Sequence, residues 1–118
     1  MPQPLWTPSP DRIEAAAVTR FAIEADKRFG HPLPDYAALH SWSVERPDQF
    51  WDLMWDWAEI RGHKGAKVVE NVNRMPGATW FPEARLNFAE NLLRRRDDAD
   101  ALVFWGEDKV KRRLSYKK

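Results

Sequence analysis

The sequence predicts a mainly α-helical protein with three to four helices and a C-terminal β-hairpin. Over most of its 118 residues, apolar side chains recur every three to four positions, as on one side of a helix. Glycine or proline interrupts this pattern at intervals that suit separate helices. From residue 97 onward the pattern changes to two short runs that flank a loop containing Gly and Asp, an arrangement typical of a β-hairpin.

The first helix is predicted over residues 10–29. Ser9 can accept hydrogen bonds from the first free amides, and Pro10 is tolerated at the first helical position. Gly30 follows where a left-handed residue is expected to end the helix. The apolar stripe recurs every four residues and consists of Ile13, Ala17, Phe21, Ala25 and Phe29.

Two further helices are predicted in the middle of the chain. A short one begins at Asp35 and covers DYAALHSW, and residues 43–47 then change the direction of the chain. A longer one runs from Pro47 to about residue 61, with Gly62 as its stop. Its apolar face predicts that Trp51 and Trp55 pack in the core, together with Phe50, Met54 and Ala58.

The last third of the chain combines a loop, a helix and the hairpin. Residues 62–79 predict a short strand or loop at KVVENV and a turn at Pro76-Gly77. A helix is predicted from Pro82, with Leu86, Ala89, Leu92 and Leu93 facing inward. The runs ALVFW and KRRLSY flank GEDKV as a hairpin with an inner face of Leu102, Phe104, Leu114 and Tyr116.

Composition excludes several classes of site. The apolar share of 43% and the charged share of 31% are ordinary for a folded protein. The absence of cysteine excludes disulfides, thiolate metal sites and a cysteine nucleophile, and suits a cytoplasmic location. No window reaches membrane-spanning length, and the five glycines form no phosphate-binding loop, so we expect neither a membrane anchor nor a nucleotide site. The three histidines lie in separate segments without metal-ligand spacing.

Charge is distributed unevenly along the chain. Six basic side chains and no acid lie in residues 109–118, which leaves 13 basic and 18 acidic side chains in residues 1–108, a net charge of about −5. A basic tail can bind nucleic acid or anionic lipid, whereas a solvated strand with outward Lys and Arg explains the same pattern. We favour the solvated strand, and we expect no nucleic-acid or membrane partner.

Other polar and aromatic side chains also have two interpretations. Asp52, Asp56 and Glu59 share the polar side of one predicted helix, where solvation near Lys and Arg is favoured over an acidic catalytic pair. Trp6 and Trp57 fall outside the apolar stripes and suit either an external ligand or a leader that folds back on the domain. The second interpretation is favoured because chain termini are often tied down in this way.

Several segments, in order, resemble one known family. They are LWTPSPDRI, DYAALHSWSVERPDQFWDLMWDWAEI, RMPGATWFPEARLNFAENLLRRRDDADALVFWGED and LSY. Together they resemble the N-terminal region of the acetoacetyl-CoA synthetases, or acetoacetate-CoA ligases, of the adenylate-forming superfamily. The resemblance covers nearly the whole chain.

This resemblance implies an N-terminal fragment of a longer enzyme. Residues 1–96 would form the helical N-terminal domain, and residues 97–118 the first hairpin of a large α/β AMP-binding domain. The full enzyme would use ATP, Mg²⁺ and coenzyme A to activate acetoacetate as an acyl-adenylate and transfer it to the thiol. The phosphate loop and the C-terminal catalytic lysine of the family are not in this sequence, so no catalytic, cofactor-binding or metal residue is assigned.

The resemblance also implies an interdomain joint within GATWFPEARLNFAENLL. Its residues are Trp80, Phe81, Arg85, Leu86, Asn87 and Asn91. The aromatics can pack as a wedge, and asparagines four positions apart on a helix share one face and can hydrogen-bond to a neighbouring loop. Glu83 stands where the resembled family commonly has glycine, so the turn at this position is expected to be less tight than in the family. At Lys117-Lys118 the family would continue into a helix.

One interpretation from another class remains open. The chain would then be a stand-alone helical interaction module whose basic tail and aromatics bind a partner. The two interpretations predict different partners. A fragment would bind the remainder of the synthetase, whereas a module would bind an external protein. Self-association through the hairpin is a further prediction, since two strands alone leave their edges open.

Overall fold

A computed structural model describes residues 5–117. It contains five helices and two antiparallel strand pairs, which confirms the predicted mainly α fold with a C-terminal hairpin. The helices are α1 Pro10–Glu14, α2 Ala17–Phe29, α3 Tyr36–Glu45, α4 Pro47–Trp57 and α5 Phe88–Leu92. The strands are β1 Val69–Glu70, β2 Thr79–Trp80, β3 Asp100–Trp105 and β4 Lys111–Ser115.

The first predicted helix is divided into α1 and α2. Its ends are as predicted: Ser9 Oγ accepts from the Arg12 amide, and Gly30 ends α2 in the left-handed conformation. The break lies at Ala16, whose backbone is extended. Thr19 Oγ1 donates a 2.6 Å hydrogen bond to the Ile13 carbonyl oxygen, which satisfies an acceptor at the end of α1. The prediction of a single helix over residues 10–29 was therefore wrong at Ala15 and Ala16, which lie between α1 and α2.

Helices α3 and α4 form a corner at Arg46. Asp35 Oδ1 accepts from the Ala38 amide and caps the start of α3. Helix α3 continues to Glu45, three residues beyond the predicted segment, because only the residue before Pro47 is forced out of the helical region. Helix α4 ends at Trp57, earlier than predicted, and the chain leaves it through Glu59 at φ 52°.

The core lies between α2, α3 and α4. Its buried side chains are Phe21, Ala25, Leu39, Trp42 and Leu53. Helix α4 presents Phe50 and Leu53 to this core, so Trp51 lies on another side and is 43% exposed. The prediction that Trp51 and Trp55 are core residues was wrong for Trp51, and Trp55 is only half-buried.

The two tryptophans that fell outside the predicted stripes have different environments. Trp57 packs edge-to-face on Phe21, with ring centroids 5.6 Å apart, and so adjoins the core. Trp6 remains exposed, and the Arg12 guanidinium lies 5.6 Å from its ring centroid. The leader therefore contacts α1 and does not bury its tryptophan.

The C-terminal third of the described chain is open to solvent. Helix α5 covers only residues 88–92, because residues 81–84 form a turn in place of the predicted first helical turn. Leu86, Leu92 and Leu93 are exposed, so the prediction that they face inward was wrong. The hairpin forms as predicted, but Leu102 and Phe104 are exposed, which contradicts the predicted inner face. Lys118 of the basic tail lies outside the described residues.

The described chain is extended for its length. Its radius of gyration is 19.5 Å, whereas a compact domain of this size would have about 13.5 Å. None of the helices within residues 5–117 combines the length and hydrophobicity needed to cross a bilayer.

Candidate functional site

The residues after α4 pair with the residues before α5 in an irregular antiparallel ladder. His63 and Arg85 exchange two backbone hydrogen bonds of 2.8 and 2.9 Å. Further along, the Phe81 amide donates a 2.7 Å bond to the Val68 carbonyl oxygen, and β1 pairs with β2 through Val69 and Trp80. Trp80, Phe81 and Arg85 therefore lie in one element, which we call the joint ladder (residues 61–70 and 79–91).

Two glycines allow the two halves of the joint ladder to approach closely. Gly62 has φ 155°, and a Cβ built there would lie 2.7 Å from the Arg85 carbonyl oxygen. Gly65 has φ 80°, and its Cβ would lie 2.6 Å from the Cβ of Glu83. Since real Cβ atoms do not approach other heavy atoms so closely, a side chain at either position would push the strands apart.

The turn that contains Glu83 is tight. The Ala84 amide donates a 2.9 Å bond to the Phe81 carbonyl oxygen, so residues 81–84 form a tight turn. The Glu83 carboxylate reaches back across Gly65 and accepts a 2.8 Å bond from the Ala66 amide. The Glu83 side chain thus supplies a hydrogen bond between the two halves of the joint ladder.

The two asparagines have different partners. Asn91 Oδ1 accepts from the Arg61 amide at 2.8 Å, and Asn91 Nδ2 donates to the Arg61 carbonyl oxygen at 2.8 Å. Asn87 instead caps its own helix, since its Oδ1 accepts from the Glu90 amide. Of these two asparagines, only Asn91 connects α5 to the residues that follow α4.

Sequence reasoning missed Arg94 as part of this arrangement. Its Nη1 donates to the carbonyl oxygens of Ala58 and Glu59 at 3.1 and 3.2 Å, just beyond the last turn of α4. A cation at a helix C-terminus is stabilising because the carbonyl oxygens there lack helical partners. The only signal in the sequence is the run Arg94-Arg95-Arg96, which does not say which helix end is capped.

The aromatic residues of the joint ladder pack on α4. Trp80 lies edge-to-face on Trp51, with ring centroids 6.0 Å apart, and Phe81 lies 5.0 Å from Trp55. Trp80 is still 41% exposed, and a cleft of about 340 Å³ lies between Trp51, Trp80 and Phe81. Leu86, another predicted joint residue, is 50% exposed. The result is an open apolar patch on the outer side of α4.

An ionic cluster on another side of α4 ties three segments together. Arg28 of α2 contacts Asp52 and Asp56 at 2.5 and 2.6 Å, and Lys64 contacts the same two carboxylates at 2.7 and 2.9 Å. These acids were predicted to be solvated, whereas both are ion-paired.

The cluster perturbs the ionisation of three of its members. Desolvation acts to raise the pKa of Asp56, but hydrogen bonds from Arg28 and Lys64 hold it below the ordinary value. The hydrogen bond to Asp56 raises the pKa of Arg28, and the two carboxylates raise the pKa of Lys64 despite its desolvation. All three groups are therefore charged at neutral pH, where the cluster connects α2, α4 and the joint ladder.

The hydrogen bonds and ion pairs of this region hold separate segments of the chain together. Within residues 5–117, no group of three or more acidic or histidine side chains is placed to hold a metal ion. His63, the histidine nearest the joint ladder's hydrogen bonds, takes part through its backbone.

Comparisons with known proteins match this region to longer enzymes. Residues 36–92 match the family model described as the acetyl-coenzyme A synthetase N-terminus. The chain is 44% identical over 114 residues, 97% of its length, to an acetoacetyl-coenzyme A synthetase of Rhizobium meliloti (strain 1021). It is 43% identical over 62% of its length to the malonamoyl-CoA synthetase vrtB of Penicillium aethiopicum, and 30% identical over 93% to an acetoacetyl-CoA synthetase of Danio rerio.

These matches cover only a small part of each relative. The chain spans 18% of the Rhizobium meliloti protein, 10% of the Penicillium aethiopicum protein and 16% of the Danio rerio protein. No solved structure matches the chain.

Proposed function

The chain belongs to the acyl-CoA synthetases as their N-terminal region, and from this premise we propose that it is the non-catalytic leading part of an acetoacetate-CoA ligase. The complete enzyme would convert acetoacetate, ATP and coenzyme A into acetoacetyl-CoA, AMP and pyrophosphate. The observation that carries the proposal is 44% identity, over nearly all of this chain, to an acetoacetyl-coenzyme A synthetase.

The proposed role of this region is mechanical. The joint ladder connects α4 to α5 through backbone pairs, Asn91 and Arg94. The ionic cluster connects the same segment to α2. In the complete enzyme this rigid joint would carry the large AMP-binding domain, which would supply the ATP, Mg²⁺ and coenzyme A sites. We propose Trp80, Phe81, Arg85, Leu86, Asn87 and Asn91 as its joint residues.

The open apolar patch supports the proposal that a large domain follows in the same polypeptide. Trp51 and Trp80 remain about two-fifths exposed although they pack on each other. Exposed apolar patches rimmed by polar residues commonly mark interaction sites, since their burial is favourable. We propose that the large domain covers this patch.

Acetoacetate is the proposed acid, because the acetoacetyl-CoA synthetases match more of this chain than the malonamoyl-CoA synthetase does. Acetoacetyl-CoA synthetases match over 80% or more of this chain, whereas the malonamoyl-CoA synthetase matches over 62%. The pocket that would select the acid belongs to the proposed large domain. This part of the proposal therefore depends on similarity alone.

A chimera tests the proposal directly. In it, this chain replaces the matching N-terminal segment of the Rhizobium meliloti synthetase, and AMP formation dependent on acetoacetate, ATP and coenzyme A is measured. The isolated chain and the relative without its N-terminal segment are the controls. We expect an active chimera and an inactive isolated chain. A folded but inactive chimera, or acetoacetate-dependent pyrophosphate release by the isolated chain, would contradict the proposal.

A further inference from the structure

Two apolar clefts adjoin each other on the helical part of the chain. One, of about 360 Å³, lies where α2, α3 and α4 meet, and the other, of about 400 Å³, lies between α1, α2 and the start of α3. Val18, Tyr36 and the buried Leu39 line both clefts. Tyr36 is 73% exposed and Val18 is 48% exposed, so these two side chains form a ridge between the clefts. The surface therefore combines a protruding aromatic side chain with a recess beside it.

The first of these recesses, which we call the helical cleft, lies between Phe21, His40, Ser43, Phe50 and Trp57. No Asp, Glu, Lys or Arg is among the described residues that line it. Its polar groups belong to His40 and Ser43, and its walls are mainly aromatic and aliphatic. Such a lining suits the side chain of a tyrosine, which is apolar along its ring and polar at its tip.

The helical cleft and the open apolar patch lie on different sides of α4. Phe50 and Trp57 face the cleft, whereas Trp51 packs on Trp80 in the patch. Successive residues of a helix are about 100° apart around its axis, so Phe50 and Trp51 point in different directions. A domain that covers the patch is therefore on a different side of α4 from the helical cleft.

We propose that this face is the interface between two copies of the chain, in which Tyr36 of each copy inserts into the helical cleft of the other. A two-fold axis brings the same surface of both copies together, so that surface must be complementary to itself. A ridge beside a recess meets this requirement. Because the helical cleft is lined without Asp, Glu, Lys or Arg, the symmetry also brings no like charges together there.

Ser43 provides a partner for the hydroxyl group of the inserted tyrosine. Ser43 Oγ donates a 2.7 Å hydrogen bond to the His40 carbonyl oxygen of its own helix, which leaves its lone pairs available as acceptors. A tyrosine hydroxyl that becomes buried needs such a partner. In the dimer the Tyr36 hydroxyl of one copy donates to Ser43 Oγ of the other.

The size of this surface predicts a reversible dimer. Ten described residues line each cleft and three of them line both, which is fewer in total than the roughly 20–30 residues that each partner contributes to a standard interface. Interfaces at the small end of the range are typically transient. We therefore expect a dissociation constant of about 10 µM for the dimer.

Sedimentation velocity of the chain over a range of concentrations tests the inference. Tyr36→Ala should raise the dissociation constant of the dimer at least about 30-fold, because it removes an aromatic anchor from the centre of the interface. Val44→Ala is the matched control, since Val44 lies on the same helix, is 65% exposed and lines neither cleft. It should leave the dissociation constant unchanged. Both side chains are mostly exposed in the single chain, so neither variant should lower the melting temperature of the monomer.

A double-mutant cycle tests where the tyrosine lies. Tyr36→Phe and Ser43→Ala each remove one partner of the proposed hydrogen bond at both symmetric positions and should raise the dissociation constant about tenfold. The double variant should dissociate no more readily than either single variant, because the lost groups are partners of each other. Additive effects would place the two groups apart and overturn the insertion.

Other interfaces give different results in the same measurement. Trp105→Ala changes an exposed aromatic residue of the hairpin. If it weakened association and Tyr36→Ala did not, the hairpin would be the interface and the inference would be overturned. A chain that remains monomeric at millimolar concentration would overturn it as well.

The chimera described above separates this inference from the proposed function, which it does not require. An active chimera that remains monomeric would overturn the interface and leave the function intact, since other parts of the synthetase would then exclude a second copy from the helical cleft. A folded but inactive chimera that forms a dimer weakened by Tyr36→Ala would support the interface and contradict the function.

Discussion

Asn91 binds both the amide and the carbonyl oxygen of Arg61 through its side chain, as a strand residue would through its backbone. Both hydrogen bonds measure 2.8 Å. The pairing holds α5 against the residues that follow α4, thirty positions earlier in the chain. A side-chain amide is suited to this role because it offers a donor and an acceptor side by side.

Asn91→Ala should lower the free energy of unfolding by about 1–2 kcal/mol, since it leaves the Arg61 backbone without these partners. Urea denaturation measures the change. Asn73→Ala, at an exposed loop asparagine, is the control and should have little effect. Equal midpoints for both variants would show that the Asn91 contact contributes nothing to stability.

Trp42→Ala should be far more damaging than Trp51→Ala. Trp42 is 2% exposed, so its removal leaves a cavity and should cost about 3–5 kcal/mol. The ring of Trp51 packs mainly on Phe50 and Trp80. Its removal should lower the free energy of unfolding by about 1–2 kcal/mol. Denaturant midpoints of the two variants test this order. The reverse order would mean that α4 presents its other side to the core.

Gly62→Ala should destabilise the protein more than Gly30→Ala. Both glycines have positive φ, but a methyl group at Gly62 would also collide with the Arg85 carbonyl oxygen, whereas nothing lies within 4 Å at Gly30. We expect losses of about 3 kcal/mol at Gly62 and about 1 kcal/mol at Gly30. Thermal unfolding distinguishes them, and an equal loss at both sites would exclude close contact in the joint ladder.

Stability should fall in acid partly because Asp56 becomes protonated. Its pKa is lowered in the folded state by Arg28 and Lys64, so its contribution is complete above the unfolded value of about 3.9. That contribution is lost as the pH falls through the lower folded value. Melting temperatures measured from pH 7 to pH 2 should therefore drop less steeply for Asp56→Asn than for the parent protein. Parallel curves would show that the cluster does not stabilise the fold.

Local signals predicted the caps and the hairpin correctly. Ser9-Pro10 and Asp35 begin helices, Gly30 ends one, and ALVFW pairs with KRRLSY. Each of these depends on neighbouring residues, whose preferences are set by sterics and short-range hydrogen bonds.

Contacts between distant residues were not predictable in the same way. Periodicity placed Trp51 and Trp55 on an apolar face without revealing that Trp80 and Phe81 pack on them from outside the core. Strand β2 has only two residues, and its pairing with β1 depends on the close approach at Gly62 and Gly65. The role of Arg94 depends on where α4 ends in space, which spacing along the chain does not give.

The neighbouring arginines Arg94 and Arg95 bind on different sides of the link between α5 and the hairpin. Arg94 holds the carbonyl oxygens after α4, whereas Arg95 pairs with Asp97 and lies 5.0 Å over the ring of Tyr116. Protein engineers who exchange modules between synthetases should therefore splice between these two residues. A crossover at that bond transfers each guanidinium with its own partners, whereas one placed two residues later would separate Arg95 from the Asp97 carboxylate it neutralises.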